Sequence, residues 1–211
     1  TAEKAALKDI EDHLDTMPIW TQIVSDRERF RGLGPTMAAV IFAECDIARQ
    51  DTVSKMWSFA GLRPMPFKRC AACGVEIAVE EVDGILHYTH PALKAKAACG
   101  LYGQIGVDRS KETPLLDENV TEGHKAARPV RGQKLAYNAF LRTKLIGVLG
   151  PCLLKANSPW RKFYDDYKAR KLAAGWGQSD GHRHNAAVRY MIKMLLVEIH
   201  REWRTIEGLP V

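Results

Sequence analysis

Phe30-Arg31-Gly32-Leu33-Gly34-Pro35-Thr36-Met37-Ala38-Ala39-Val40-Ile41 reads as the end of one helix, a two-glycine turn and the start of a second helix. Gly32 and Gly34 permit backbone conformations closed to residues with a Cβ. Pro35 suits the first turn of a helix, where its missing N–H is not needed. Thr36 to Ile41 is small and apolar, as a closely packed helix would be. A glycine turn feeding a helix start points unused N–H groups outward at the positive end of the helix dipole. Such an arrangement holds a phosphate. The segment therefore predicts a helix-hairpin-helix that grips a nucleic-acid backbone without reading bases. The contacts would come from Arg31, Gly32, Leu33, Gly34 and Thr36. The alternative is an ordinary turn between two helices, closed by glycine.

Before this stretch, residues 2–15 predict a charged helix with Ala5, Ala6, Ile10 and Leu14 as a thin apolar stripe. Pro18 opens the next, which carries Ile19, Trp20, Ile23 and Val24 and runs to about Phe30. After it, the second hairpin helix reaches about Cys45. Asp51 or Thr52 then caps a helix over Val53 to Ala60, ended by Gly61 and kept from continuing by Pro64 and Pro66.

From Phe67 the character changes. Cys70-Ala71-Ala72-Cys73-Gly74 has the spacing with which two thiolates chelate one tetrahedral ion. Cys99 is the best third ligand, and His90 or His87 the fourth. The expected site is Cys3His with a structural zinc ion, because so small and polar a stretch holds too little apolar surface to fold without one. A redox Cys-x-x-Cys pair is the rival, disfavoured by the lack of a flanking βαβ pattern. Val75 to Val82 and Ile85 to Thr89, joined by Asp83-Gly84, predict a hairpin of two short strands. Ala92 to Cys99 predicts a helical turn. Residues 103–132 are polar and predict a long loop or linker, with His124 solvated in it. Cys45 and Cys152 fall in helical patterns and read as packed thiols. An odd count of five cysteines with no visible export signal argues against a disulfide framework.

The last third is helical again. One helix is expected from about Tyr137 to Leu149, stopped or kinked at Gly150-Pro151. Ser158-Pro159 opens another from Trp160 to about Ala174, and Ser179 or Asp180 begins a long one to about Ile206. That last helix carries an apolar stripe at Val188, Ile192, Leu196, Ile199, Trp203 and Ile206. Beside it lie His182, Arg189, Lys193, His200 and Arg204, which project within an arc of roughly 60°. Such a basic ridge can track a phosphate backbone.

The charge distribution agrees. Residues 126–211 hold 16 Lys and Arg against 6 Asp and Glu, whereas residues 1–125 hold 15 against 19. The basic half points to a polyanion partner. The length, 211 residues at 46% hydrophobic composition, accommodates one large domain or two small ones. No run of about 18 apolar residues predicts a membrane span. There is no P-loop, dinucleotide fingerprint or His-Glu-x-x-His motif to suggest a small-molecule enzyme.

The stretch from Phe30 to Ala39, with Ala43-Glu44 and then Ser54-Lys55-Met56-Trp57-Ser58-Phe59-Ala60-Gly61-Leu62-Arg63-Pro64, resembles the C-terminal domain of the DEDD insertion-sequence transposases. These are the serine-dependent, bridge-RNA-guided recombinases. Tyr137-Asn138-Ala139-Phe140-Leu141-Arg142 is similar to their G-N-x-x-L-R segment, and the helix with Ala186, Arg189 and Lys193 to their closing helix. The likeness covers roughly residues 15–64 and 133–207. It implies a helical domain built around a helix-hairpin-helix and a role in handling DNA or RNA. Two family features have no counterpart in these 211 residues: the RuvC-like domain with its four carboxylates, and the Ser-Gly pair that follows the G-L-x-P segment. Met65-Pro66-Phe67-Lys68 stands in that place.

The expectation is thus a mainly α protein with four parts: a helix-hairpin-helix region (1–66), a zinc module with a β-hairpin (67–103), a linker (104–132) and basic C-terminal helices (133–211) packing on the first region. Its expected role is to bind DNA, or alternatively structured RNA, as a phage or mobile-element protein of the cytoplasm, without a catalytic residue of its own. Arg31, Gly32, Leu33, Gly34, Thr36, Arg142, Lys144, His182, Arg189 and Lys193 would contact the nucleic acid. Cys70, Cys73, His90 and Cys99 would hold the metal. A recombinase working with a RuvC-like partner, and a homo-oligomeric structural protein, are the alternatives.

Overall fold

Leucine and isoleucine at helical spacing dictate most of what forms. The computed structural model describes residues 2–92, 99, 113–126, 135–176 and 179–211. They divide into a helical unit, Thr1–Arg63 with Arg128–Val211, and a small β unit, Pro64–Ala127. Seven α-helices are described: α1 (Ala2–Leu14), α2 (Pro35–Glu44), α3 (Val53–Phe59), α4 (Ala139–Lys144), α5 (Gly150–Lys155), α6 (Arg161–Ala173) and α7 (Asp180–Ile206).

Helix α7 is the spine of the helical unit. Its 27 residues span about 40 Å. Ser179 caps it, its hydroxyl accepting from the His182 N–H at 3.2 Å. Val188, Met191, Ile192, Leu195, Leu196, Ile199 and Trp203 line its buried face. They share one core with Phe30, Leu33, Ile41 and Phe42 from the hairpin region and Leu141, Leu145, Leu149 and Leu153 from the α4–α5 segment. Thr52 caps α3, accepting from the Lys55 N–H, as expected.

Three expectations about this unit are corrected. The helix expected to reach Phe30 ends near Val24, in a π-helical turn over Trp20–Val24. Asp26 restarts the chain: its carboxylate accepts from the N–H groups of Glu28 and Arg29 at 2.9 and 3.1 Å, and a separate turn through Phe30 follows. Those two backbone bonds hold the Asp26 carboxyl below its ordinary range. The glycine turn is therefore preceded by a turn, not by a helix. Next, of the stop or kink expected at Gly150-Pro151, the stop does not occur. The chain stays helical from α4 through a π-helical turn at Leu145–Leu149 into α5. The wider turn before Pro151 accommodates a residue that has no N–H to give to an α-helical ladder. Lastly, Cys152, expected to be packed, is exposed, whereas Cys45 is buried and its thiol is pushed up to about 12 by desolvation.

Two glycines fix how closely the helices approach. Gly32 has φ +93°, and a Cβ there would sit 3.0 Å from the Leu153 Cα. A Cβ on Gly150 would sit 2.7 Å from the Val188 Cγ1, inside the contact between α5 and α7. Gly150→Ala is expected to lower the stability of the helical unit by about 1–3 kcal/mol through overpacking. Equilibrium denaturation followed by helical circular dichroism reads this directly. An unchanged midpoint would mean the two helices have slack.

The β unit has five described strands: β1 (Pro64–Cys70), β2 (Ala78–Val82), β3 (Ile85–His90), β4 (Thr113–Leu115) and β5 (Val120–Ala126). Strands β2, β3 and β4 form an antiparallel sheet in that order. The expected turn at Asp83-Gly84 joins β2 to β3, with φ of +52° and +78°. Strands β1 and β5 form a separate two-stranded ribbon, Pro64 opposite Ala126 and Cys70 opposite Val120. Both β4 and β5 fall in the stretch that composition predicts to be loop. Their sequences, Thr-Pro-Leu and Val-Thr-Glu-Gly-His-Lys-Ala, lack apolar alternation because strand pairing rather than burial organises them. His124 lies in β5 opposite Pro66. The helical turn expected over Ala92 to Cys99 lies outside the described residues except at its ends.

Candidate metal centre and nucleic-acid interface

The two Cys residues of Cys70-x-x-Cys73 sit on a tight turn at the end of β1. The Gly74 N–H donates to the Cys70 carbonyl at 2.8 Å, and the Cys70 N–H to the Val75 carbonyl at 2.9 Å. His90 is the last residue of β3, which the sheet brings back beside that turn. Cys99 completes the group. The ligand atoms of Cys70, Cys73, His90 and Cys99 all lie within 4.8 Å of one another. Of the two histidines left open by the sequence, His90 is the one brought in, fully buried, while His87 is exposed. The two differ because neighbouring strand positions face opposite sides and His87 stands an odd number of residues away.

The geometry is that of a chelating set. The Cys70 and Cys99 sulfurs are 3.8 Å apart, and the Cys73 sulfur is 3.2 Å from His90 Nε2. A tetrahedron with metal–sulfur bonds of about 2.3 Å has sulfur–sulfur edges of about 3.8 Å. A disulfide would need about 2.05 Å. His90 Nδ1 donates to the Pro91 carbonyl at 2.7 Å, which fixes the ring and leaves Nε2 as the ligating nitrogen. Burial opposes charge on Cys70, yet the backbone N–H groups of Cys73 and Ala72 aim at its sulfur and hold it below the ordinary thiol value. Burial pushes the Cys73 thiol up to about 11. These four residues can hold a metal ion. They are also most of the core of their unit: besides Cys70 and Cys99, Ile77 is the only buried hydrophobic residue of that cluster among the described residues.

The residues expected to contact nucleic acid all lie in the helical unit but do not form one ridge. Along α7 the basic row is divided. His200 and Arg204 are buried. His200 Nε2 donates to the Gln50 carbonyl at 2.7 Å, and Arg204 donates to the Ile47 carbonyl at 2.8 Å, to Gln50 and to Pro210. They tie the loop between α2 and α3 to α7 and offer nothing to a ligand. His182, at the other end, is exposed beside Trp176, the rings 4.8 Å apart.

Between these ends four cations converge. Arg189 and Lys193 are one helical turn apart and half-buried. Arg142 from α4 stands near Arg189, and Arg63, at the end of the α3 segment, near Lys193. Desolvation, with repulsion from Arg142, lowers the Arg189 pKa. Desolvation, with repulsion from Arg189 and Arg63, lowers that of Lys193. Lys193 Nζ lies 4.6 Å from the centre of the Trp57 ring, whose indole N–H donates to the Lys193 carbonyl at 3.3 Å. Arg142 lies over Tyr137 at 5.0 Å. Among the described residues, neither Arg63, Arg189 nor Lys193 has a carboxylate partner. Nothing in the sequence singles out Arg63, because only the fold brings it to α7. Lys144 is turned over Phe140 at 5.4 Å. In the hairpin region Arg31 and Thr36 are exposed, Leu33 is buried in the core, and Gly34 caps α2.

Compared with protein-family models, with curated proteins and with solved structures, the chain has no match. No described helix is long and apolar enough to cross a membrane.

Proposed function

We propose that this chain is a nucleic-acid-binding protein, akin to the C-terminal domain of DEDD transposases, with a structural zinc ion in its Cys3His centre. One observation carries the reading: Arg63, Arg142, Arg189 and Lys193 are gathered where they repel one another, and Arg189 and Lys193 are partly stripped of water. Half-buried like charges raise the energy of a fold, so their retention fits a polyanion that neutralises them on binding. Arginine and lysine together match a run of phosphates, and a phosphodiester backbone supplies such a run. At the hairpin, Arg31, Thr36 and the N-terminus of α2 after Gly34 would add a phosphate contact, with Gly32 serving the packing against α5. For the metal, a donor set of three thiolates and one imidazole with no open position favours zinc in a structural role over a catalytic one.

The test is a salt titration of binding to a 20-base-pair duplex of arbitrary sequence, read by fluorescence anisotropy. Four phosphate contacts predict a log–log slope of about −3 to −4, with little change on shuffling the sequence. Binding that ignores salt, or no binding at low salt to either the duplex or a single strand of the same length, would remove this reading.

A further inference from the structure

Next to the cation cluster lies an array of rings and cations on α6 and α7 that phosphate binding does not account for. Tyr167 and Tyr190 are stacked, their centres 4.7 Å apart with the planes inclined by 25°. Arg170 lies over both, at 5.3 and 5.9 Å. Lys171 reaches from Tyr167 at 5.4 Å to Trp176 at 4.7 Å, and His182 lies against the same indole. Tyr167 also stands beside Arg189, so this array continues directly from the cation cluster.

Trp176 is held out by a specific backbone turn. Its N–H donates to the Lys171 carbonyl at 2.9 Å and the Gly175 N–H to the Leu172 carbonyl at 3.0 Å. With Gly175 at φ +61°, this is a Schellman close to α6. The turn places a large aromatic ring, 37% exposed, where a core would gain little from it. Phe163 meets Tyr190 edge-on and Tyr167 is partly buried against the core; the other covers on these rings are Arg170, Lys171 and His182, side chains that a flat ligand can displace.

Resting on the nucleic-acid reading, we infer that Trp176 and the Tyr167–Tyr190 pair form a stacking platform for unpaired bases, whose phosphates run to Arg189 and Lys193. The preferred ligand is then a single-stranded segment, DNA or RNA, rather than a duplex. A duplex hides its base faces and cannot use the rings, whereas every unpaired base has a face to offer. Positive charge interleaved with rings is the pattern such strands require, and Arg170 and Lys171 keep a cation beside each stacked base.

The experiment compares the full chain and its Trp176→Ala variant on four labelled probes at one salt concentration: (dT)20, U20, a 20-base-pair duplex, and an abasic 20-mer with the same phosphates. (dT)20 and U20 are expected to bind more tightly than the duplex, and the abasic strand at least about tenfold more weakly than (dT)20. Trp176→Ala is expected to weaken (dT)20 binding about tenfold and duplex binding less than about twofold, with quenching of tryptophan fluorescence by (dT)20 reduced. The exposed position of Trp176 beyond the end of α6 keeps this substitution out of the core. Abasic and (dT)20 strands bound equally, or equal losses on strand and duplex, would overturn the platform while leaving phosphate binding intact. No binding to any probe would overturn both readings.

Discussion

Cys70→Ser is expected to empty the metal centre and unfold the β unit while the helices stay formed. The variant should retain less than about a tenth of an equivalent of zinc by elemental analysis, since a closed tetrahedral site loses one of only four ligands. Amide protection should vanish across β1, β2 and β3, and helical circular dichroism should hardly change. The size of the effect follows from what the unit has besides its ligands. Ile77 is the one buried hydrophobic residue of its cluster that is not a cysteine, among the described residues. Val79, Val82, Ile85 and Leu86 of the β2–β3 hairpin are exposed, and Val75, Tyr88, Leu115 and Val120 are only partly buried against the cluster. Burying one isoleucine is worth about 1.5–3 kcal/mol, whereas binding a structural zinc ion supplies about 10–16 kcal/mol of folding free energy. Strong chelation of the unsubstituted chain should have the same outcome. Cys152→Ser is the control, since that thiol is exposed and outside the centre. A Cys70→Ser protein that kept its zinc and its strand protection would mean that the four ligands are not a site.

Replacing Arg189 and Lys193 together by methionine should cripple binding without weakening the fold. The salt slope for duplex or strand should fall by about 2, one for each lost phosphate contact. Affinity at physiological salt should drop by roughly 10- to 100-fold. The melting temperature should hold or rise. Both cations have pKa values held below the ordinary range by burial and mutual repulsion. A cation so placed binds its proton less tightly in the folded chain than in the unfolded one, so its charge destabilises the fold throughout the neutral range and removing it relieves the fold. Methionine keeps the packed stem. Arg204→Met, on the same row of α7, predicts the reverse. It removes the donor to the Ile47 carbonyl, while Gln50 keeps its bond from His200; the cost is about 1–3 kcal/mol, and the salt slope stays as it was. If the Arg189/Lys193 double variant melted early and bound as before, the cluster would be a structural feature and the proposed function would fall with it.

Lys193 and Arg204 share a helical face in the sequence, and periodicity alone gives them one role. Only the loop at Ile47 to Gln50, folding over the end of α7, separates them. Arg63 reaches the cluster from more than a hundred residues away, which no local pattern signals. The Cys3His cluster was legible because the Cys70-x-x-Cys73 spacing is local, and hairpin pairing then carries His90 to it. Helix α7 was legible from apolar spacing, with Ser179 one of two candidate starts, and α6 from Ser158-Pro159 and Gly175 at its ends. Pro151 misled because the rule against proline inside a helix assumes an α-helical ladder, and here a π-helical turn precedes it. Strands β4 and β5 were illegible because their residues are mostly polar and their stability lies in backbone pairing.

The ribbon of β1 and β5 has an evolutionary consequence. Pro64 and Ala126 are paired across it, so the chain leaves and re-enters at points about one strand spacing, ~5 Å, apart. A segment whose two ends lie that close can be gained or lost in a single genetic event, because the host chain needs only a short splice to close the gap. The part of this protein with the Cys3His cluster is built as a cassette, and a version of the helical part joined directly from Arg63 onward is a chain that natural sequences could contain.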